Sequence, residues 1–196
     1  MYRPSRPTPS RPSPAKAPQL SDISVGGDPL ALPSPPSSGP RHPVTVADFA
    51  GLTRSIAADR DRWAPLVRYD PVTRWYHRLQ VGPGYEVWLL SWLPGQGTGA
   101  HDHGRSSGVF TVLDGCLTER SAVRGAEVIR RRLTPVAGAS PAAIPCRVVA
   151  PGCVHEVVNE TLDPAVSLHV YFPGLTEMPG HPHLSHLCGT PAEKVL

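Results

Sequence analysis

The sequence predicts a mainly β fold: a small β-barrel or jelly roll, preceded by a short N-terminal helical segment and a disordered Pro-rich tail. Three observations predict it. The 196 residues include 25 Pro and 18 Gly, and both types oppose helix interiors. From Trp75 onward, about eight short runs rich in β-branched and aromatic residues follow at close, regular spacing. Gly, Pro, Asp and Asn separate these runs, as turns between strands require.

The elements follow in order. Residues 1–43 hold 12 of the 25 prolines, together with Arg3, Arg6, Arg11, Lys16 and Arg41. This stretch lacks the apolar residues that offset ordering entropy and is expected to sample extended conformations. It reads as a solvated leader or as a ligand for a proline-binding domain. Thr45 is placed to cap a helix, with Asp48 three residues on in a capping box. Phe49, Leu52 and Ile56 follow at helical spacing, which predicts a helix over residues 46–58. Trp63, Leu66 and Val67 predict a second short helical turn. Strands are predicted at Trp75–Val81, Tyr85–Trp92, Val109–Leu113, Leu117–Val123, Glu127–Leu133, Cys146–Ala150, Val154–Asn159 and Ser167–Phe172. Gly82-Pro83-Gly84 is a turn signal, and Asp114-Gly115 is expected to close a tight hairpin. Phe172-Pro173 is expected to be a cis peptide. One domain over residues 44–176 is expected, with an irregular C-terminal tail over 177–196.

Charge and hydropathy exclude other classes. The net charge is +3, much of it in the tail, so nucleic acid is not an expected partner. The central apolar run Val87-Trp88-Leu89-Leu90 stops at Ser91, far short of the ~20 apolar residues of a membrane helix. No apolar stretch follows the positive N-terminus, so a secretory signal is not expected and a cytoplasmic location is. Cys116, Cys146, Cys153 and Cys188 have no regular spacing and are expected to be free thiols, with Cys116 and Cys153 in packing roles.

The densest chemical signal is His101-Asp102-His103. Residues i and i+2 of a strand share a face, so two imidazoles can meet one ion. Gly95 stands six positions before His101 and Gly115 twelve after His103. Downstream lies Pro151-Gly152-x2-His155-x3-Asn159. The two blocks resemble the two motifs of the cupin superfamily, in which two His of the first and one of the second meet at the mouth of a small β-barrel. A metal site at His101, His103 and His155 is therefore expected. Many cupins carry a Glu ligand four or five residues after the second His; Ser107 and Gly108 stand there. Three neutral ligands leave a divalent ion its full charge, which favours an anionic substrate. Imidazole ligands alone permit Zn, Cu, Fe or Ni.

Two further patterns narrow the resemblance. Ser167, His169 and Tyr171 alternate along one strand, and such a polar face requires hydrogen-bonding partners. Tyr76 and Arg78 lie two apart in the first strand, where a guanidinium is suited to a carboxylate. Tyr76-x-Arg78, His101-Asp102-His103-Gly104, Gly152-x2-His155-x3-Asn159 and Ser167-Leu168-His169-x-Tyr171 together resemble the cysteine dioxygenase family of thiol dioxygenases, from about Val44 to Gly174.

The resemblance implies a cupin barrel with one non-haem Fe(II) per chain on His101, His103 and His155. It implies Arg78 and Tyr76 as the substrate-carboxylate site, and Tyr171 as a catalytic hydrogen-bonding residue backed by His169 and Ser167. The implied activity is oxidation of L-cysteine by O2 to cysteine sulfinic acid, with no flavin, nicotinamide or external reductant. A monomer with a small thiol and O2 as its partners is expected, without nucleic acid or membrane. In animal members a Cys forms a thioether with the tyrosine; Gly108 matches that position, so no cross-link to Tyr171 is expected. The rival readings are a 3-mercaptopropionate dioxygenase, a subfamily that typically has Gln where Arg78 stands, and a non-catalytic metal-binding cupin sensor. His181, His183 and His186 form a weaker second metal pattern near the C-terminus.

Overall fold

A computed structural model describes residues 43–122, 128–176 and 178–181. The expected tail over 1–43 lies outside the described residues except for its last position, as do His183 and His186 and most of 177–196. The capping box forms as the sequence predicts. The Thr45 side chain accepts from the Asp48 backbone N–H at 3.1 Å, and the Thr45 backbone N–H donates to the Asp48 carboxylate at 2.9 Å. Helix α1 spans Val46–Ala58, and α2, Arg60–Trp63, continues into a 3-10 turn at Ala64–Leu66.

Eight strands follow: β1 Trp75–Gly82, β2 Tyr85–Trp92, β3 Ser107–Asp114, β4 Leu117–Ala122, β5 Val128–Leu133, β6 Arg147–Val149, β7 His155–Val158 and β8 Ala165–Phe172. They match the predicted runs to within two residues at each end where described. The ends Val123 and Glu127 fall outside the described residues. A 3-10 turn at Pro141–Ala143 was not predicted.

The strands form a five-stranded sheet, β1-β2-β8-β3-β6, and a three-stranded sheet, β5-β4-β7. These are the jelly-roll sheets the sequence predicts, and they do not close into a continuous barrel. Residues 95–101 run antiparallel beside β7 and extend the smaller sheet, with Thr98 N–H on the Val157 carbonyl at 2.9 Å.

The central strands of the large sheet, β2, β8 and β3, are buried on both faces. Trp88, Leu90, Trp92, Phe110 and Tyr171 face the small sheet, while Val87, Val109, Leu168 and Val170 pack with Phe49 and Ile56 of α1. In β8 the outward row Val166, Leu168, Val170 is apolar, so the polar row Ser167, His169, Tyr171 must point inward. Gly115 turns the hairpin at φ +72°; a Cβ there would meet the Pro164 carbonyl oxygen at 2.4 Å, so only glycine fits.

The Phe172-Pro173 peptide is cis, as expected. Cys116 and Cys146 are free thiols. Cys153 is disulfide-bonded, against expectation; irregular spacing says nothing about which thiols the fold brings together. Among the described residues, no helix is long and apolar enough to cross a membrane.

Candidate active site

Three elements bring the histidines together. His101 ends the segment beside β7, and its backbone exchanges two 2.9 Å hydrogen bonds with that of His155. His103 follows two residues later, with Asp102 turned away. The Asp102 carboxylate accepts from the Gly104 N–H at 2.5 Å and pairs with His181 Nε2 at 2.6 Å. All three imidazoles are buried, and one ring nitrogen of each lies within 4.8 Å of the others. The Nε2 atoms of His103 and His155 stand 3.2 Å apart, a separation that two ligands of one ion adopt when each bond is about 2.1 Å.

The far sides of the rings fix two tautomers. His101 Nδ1 lies 3.1 Å from the Gly99 carbonyl and His155 Nδ1 3.3 Å from the Glu119 carboxylate. Both partners are pure acceptors, so each Nδ1 carries the proton and each Nε2 keeps its lone pair. His103 Nδ1 is buried without a partner. Burial, reinforced by the neighbouring His155, pushes His101 and His103 well below the ordinary histidine value. They are neutral near pH 7, the form that binds metal. The donor set fits a borderline divalent ion.

The β8 row closes into a chain of hydrogen bonds. Trp92 Nε1–H donates to Ser167 Oγ at 2.9 Å, Ser167 stands 2.8 Å from His169 Nε2, and His169 Nδ1 lies 3.4 Å from the Tyr171 hydroxyl. Trp can only donate, so the single Ser167 proton goes to His169 Nε2. Burial holds His169 well below its ordinary value, so the neutral ring carries its proton on Nδ1 and donates to Tyr171. The Tyr171 proton is then directed into the cavity. Burial pushes the phenol up to about 12, which keeps it protonated.

Gly108 lies opposite Tyr171 across the β3–β8 pair. A Cβ there would come 3.0 Å from His103 Cε1 and 3.5 Å from Tyr171 Cε1, so position 108 does face the tyrosine.

A cleft of about 490 Å3, measured out to its open mouth, joins these groups. His101, His155, His169 and Tyr171 form its floor. Trp88, Leu90 and Val157 form apolar walls, and Leu175 and Met178 close it from the C-terminal side.

Its guanidinium belongs to Arg74. Arg74 is 4% exposed, lies over the Trp92 ring at 4.6 Å, and leaves Nε and Nη1 without partners. Burial lowers it to about 10, so it stays charged at neutral pH. Tyr76 lines the cleft at its mouth. Arg78 does not line it. The β1–β2 register sets Arg78 opposite Trp88, and it binds the Glu86 carboxylate at 3.3 Å. The guanidinium that lines the cleft is therefore that of Arg74, two residues before Tyr76, while Arg78 lies on the Glu86 carboxylate. The residues that the sequence reading missed are Arg74, Glu119 and the walls Trp88, Leu175 and Met178. In-phase spacing with Tyr76 was the available signal for Arg74, as was in-phase spacing with Leu117 for Glu119.

The family model for cysteine dioxygenase type I matches residues 40–181. The chain belongs to that family. It is a metal-dependent cupin enzyme of the dioxygenase type, with a three-His group that can hold the metal. Among solved structures, a protein from Thermus thermophilus is 25% identical at a TM-score of 0.47, covering 57% of this chain and 93% of its own. A double-stranded β-helix protein from Klebsiella pneumoniae is 21% identical at 0.48, covering 59% and 90%. A cupin superfamily protein from Desulfitobacterium hafniense is 12% identical at 0.45, covering 57% and 87%.

Proposed function

We propose that the protein is a thiol dioxygenase that holds Fe(II) on His101, His103 and His155 and oxidises a small carboxylate-bearing thiol, L-cysteine, to its sulfinic acid. One observation carries the reading. A buried guanidinium with unpartnered nitrogens, Arg74, shares one cleft with His101 and His155 of the three-His group and with Tyr171. An unpaired buried cation is costly, and no carboxylate side chain lines the cleft among the described residues. A substrate carboxylate would relieve that cost.

The overall step balances without a further reductant. R–SH and O2 give R–SO2H: the S–H and O–O bonds break, two S–O bonds form, the thiol proton ends on a sulfinic oxygen or, with the acid ionised, in solvent, sulfur loses four electrons and O2 gains four. Bound iron would supply Lewis acidity toward the thiol sulfur and the redox chemistry that dioxygen requires. The chain's own residues do the rest. Arg74 orients the substrate through its carboxylate, the Trp88, Leu90 and Val157 walls exclude water, and Tyr171 holds a proton aimed at the reacting end. Ser167 and His169 set the direction of that proton. Holding the reactants side by side makes the reaction effectively intramolecular.

The preference for cysteine rested on Arg78, and Arg74 serves any thiol acid of similar length. The missing acidic side chain favours a second reading, 3-mercaptopropionate, because no protein group pairs with an α-ammonium. O2 uptake by the iron-loaded protein with cysteine, 3-mercaptopropionate and cysteamine tests both. Turnover of the two carboxylates and not of cysteamine is expected. Equal turnover of cysteamine, or no thiol-dependent uptake, would overturn the proposal.

A further inference from the structure

Glu119 is the costliest residue in the small sheet. It lies on β4 in phase with Leu117, is 1% exposed, and puts a carboxylate where a strand of this kind buries an apolar side chain. Its two oxygens have separate tasks. Oε2 accepts from Arg147 Nε at 2.6 Å, with Arg131 Nη1 at 4.0 Å. Oε1 faces His155 Nδ1 at 3.3 Å. Arg131 is itself held by Ser121 Oγ at 3.0 Å. The three histidines therefore differ behind their rings: a backbone carbonyl for His101, no partner for His103, and a carboxylate for His155 alone.

We infer that Glu119 is a positioning residue for the metal. Through Oε1 it locks His155 in the tautomer whose Nε2 lone pair faces His101 and His103, while Arg147 ties the other oxygen, Oε2, to β6. The site has no carboxylate among its ligands; Glu119 supplies negative charge one bond further out. A carboxylate behind a ligating imidazole raises its basicity, and losing such a partner typically weakens metal binding by 10–100-fold. The inference rests on the reading that the three histidines hold a metal.

The pair also links β4 to β6 across the unpaired side of the jelly roll, so a purely structural role must be separated. Metal-free wild type, Glu119→Gln and Arg147→Met are titrated with Co(II) against a competing chelator. The visible bands and the melting temperature of the metal-free protein are recorded alongside. Glu119→Gln is expected to bind Co(II) about 10–100-fold more weakly, with shifted visible bands. Arg147→Met breaks the same link but leaves the carboxylate on His155. It is expected to lower the melting temperature and to keep Co(II) affinity within about threefold. Should Glu119→Gln fail to fold, Glu119→Asp keeps the charge and the Arg147 pair but falls a methylene short of His155, and the same loss is expected. Co(II) affinity within twofold of wild type in a folded Glu119 variant would overturn the inference. No Co(II) binding by wild type would instead overturn the metal reading beneath it.

Discussion

The two sheets bury polar groups around the same three histidines in opposite ways. On the large sheet, Trp92, Ser167, His169 and Tyr171 form a neutral chain in which each proton has one destination. On the small sheet, Glu119 and Arg147, with Arg131 nearby, form an ionic cluster behind His155. The neutral chain ends on a hydroxyl in the cleft; the ionic cluster ends on a ring nitrogen facing away from it. A neutral relay delivers an oriented proton without adding charge to a site already holding Arg74. An ionic cluster suits a ligand, which needs a fixed ring and a strong donor. In the cleft, Arg74 is the one charged side chain among the described lining residues, and the small-sheet side behind His155 is ionic.

The largest effect expected lies on the small-sheet side. His155→Ala removes the one ligand that the ionic cluster supports, and iron loading should be abolished, measured as metal per folded chain. Full occupancy in that variant would break the comparison, because the ligand set would then not include the small sheet's own strand.

The next test concerns the large-sheet side. Arg74→Gln should lower kcat/KM for carboxylate-bearing thiols about a hundredfold, the loss of roughly 3 kcal/mol from a buried charged hydrogen bond. Arg78→Gln should change it by only a few-fold, since Arg78 is engaged with Glu86. The reverse order of effects would return the clamp to Arg78 and remove the argument from Arg74.

That contrast marks how far the sequence could be read. The capping box, α1 and the eight strands were legible because each is written in local pattern: a cap three residues from its acid, period 3.6, period 2, and Gly or Pro between. The three histidines and the Ser167-His169-Tyr171 row were legible because ligands two apart, or rows at period 2, keep their geometry wherever the strand goes. Arg74 was not, because it precedes the predicted strand and its value depends on having no partner, which is a tertiary property. The place of Arg78 is tertiary in the same way: its phase with Tyr76 is legible, but its pair with Glu86 across the hairpin is not. Glu119 reads as a surface residue within Leu117-Thr118-Glu119-Arg120-Ser121 until the burial of its neighbour Leu117 fixes the phase. The division of the eight strands into a five-stranded and a three-stranded sheet was not legible, because no strand's own pattern specifies its neighbours.

The smallest effect separates the two networks by pH. His169 is held neutral in the fold, well below its ordinary 6.5, so unfolding takes up a proton between that lowered value and the ordinary one. The stability it protects is complete above about pH 6.5 and falls as pH drops further, by at most about 1.4 kcal/mol per pH unit. His101 and His103 add terms of the same sign in the metal-free protein. Glu119 behaves differently. Burial raises its pKa, but the hydrogen bonds from His155 and Arg147 outweigh that and hold it below the ordinary 4.5. Its contribution is present above that value and is lost only as pH falls through the lowered one. Acid should therefore weaken the neutral side first and the ionic cluster later. Urea unfolding of the metal-free protein between pH 7.5 and 5 should show stability falling below about pH 6.5. His169→Asn should make that slope shallower by about 1.4 kcal/mol per pH unit at most, although the variant starts from lower stability. An unchanged slope in His169→Asn would mean that the ring already carries its proton in the folded state. Tyr171 would then receive the same hydrogen bond, but Ser167 could no longer donate to His169 and would accept from it, reversing the Ser167–His169 link alone.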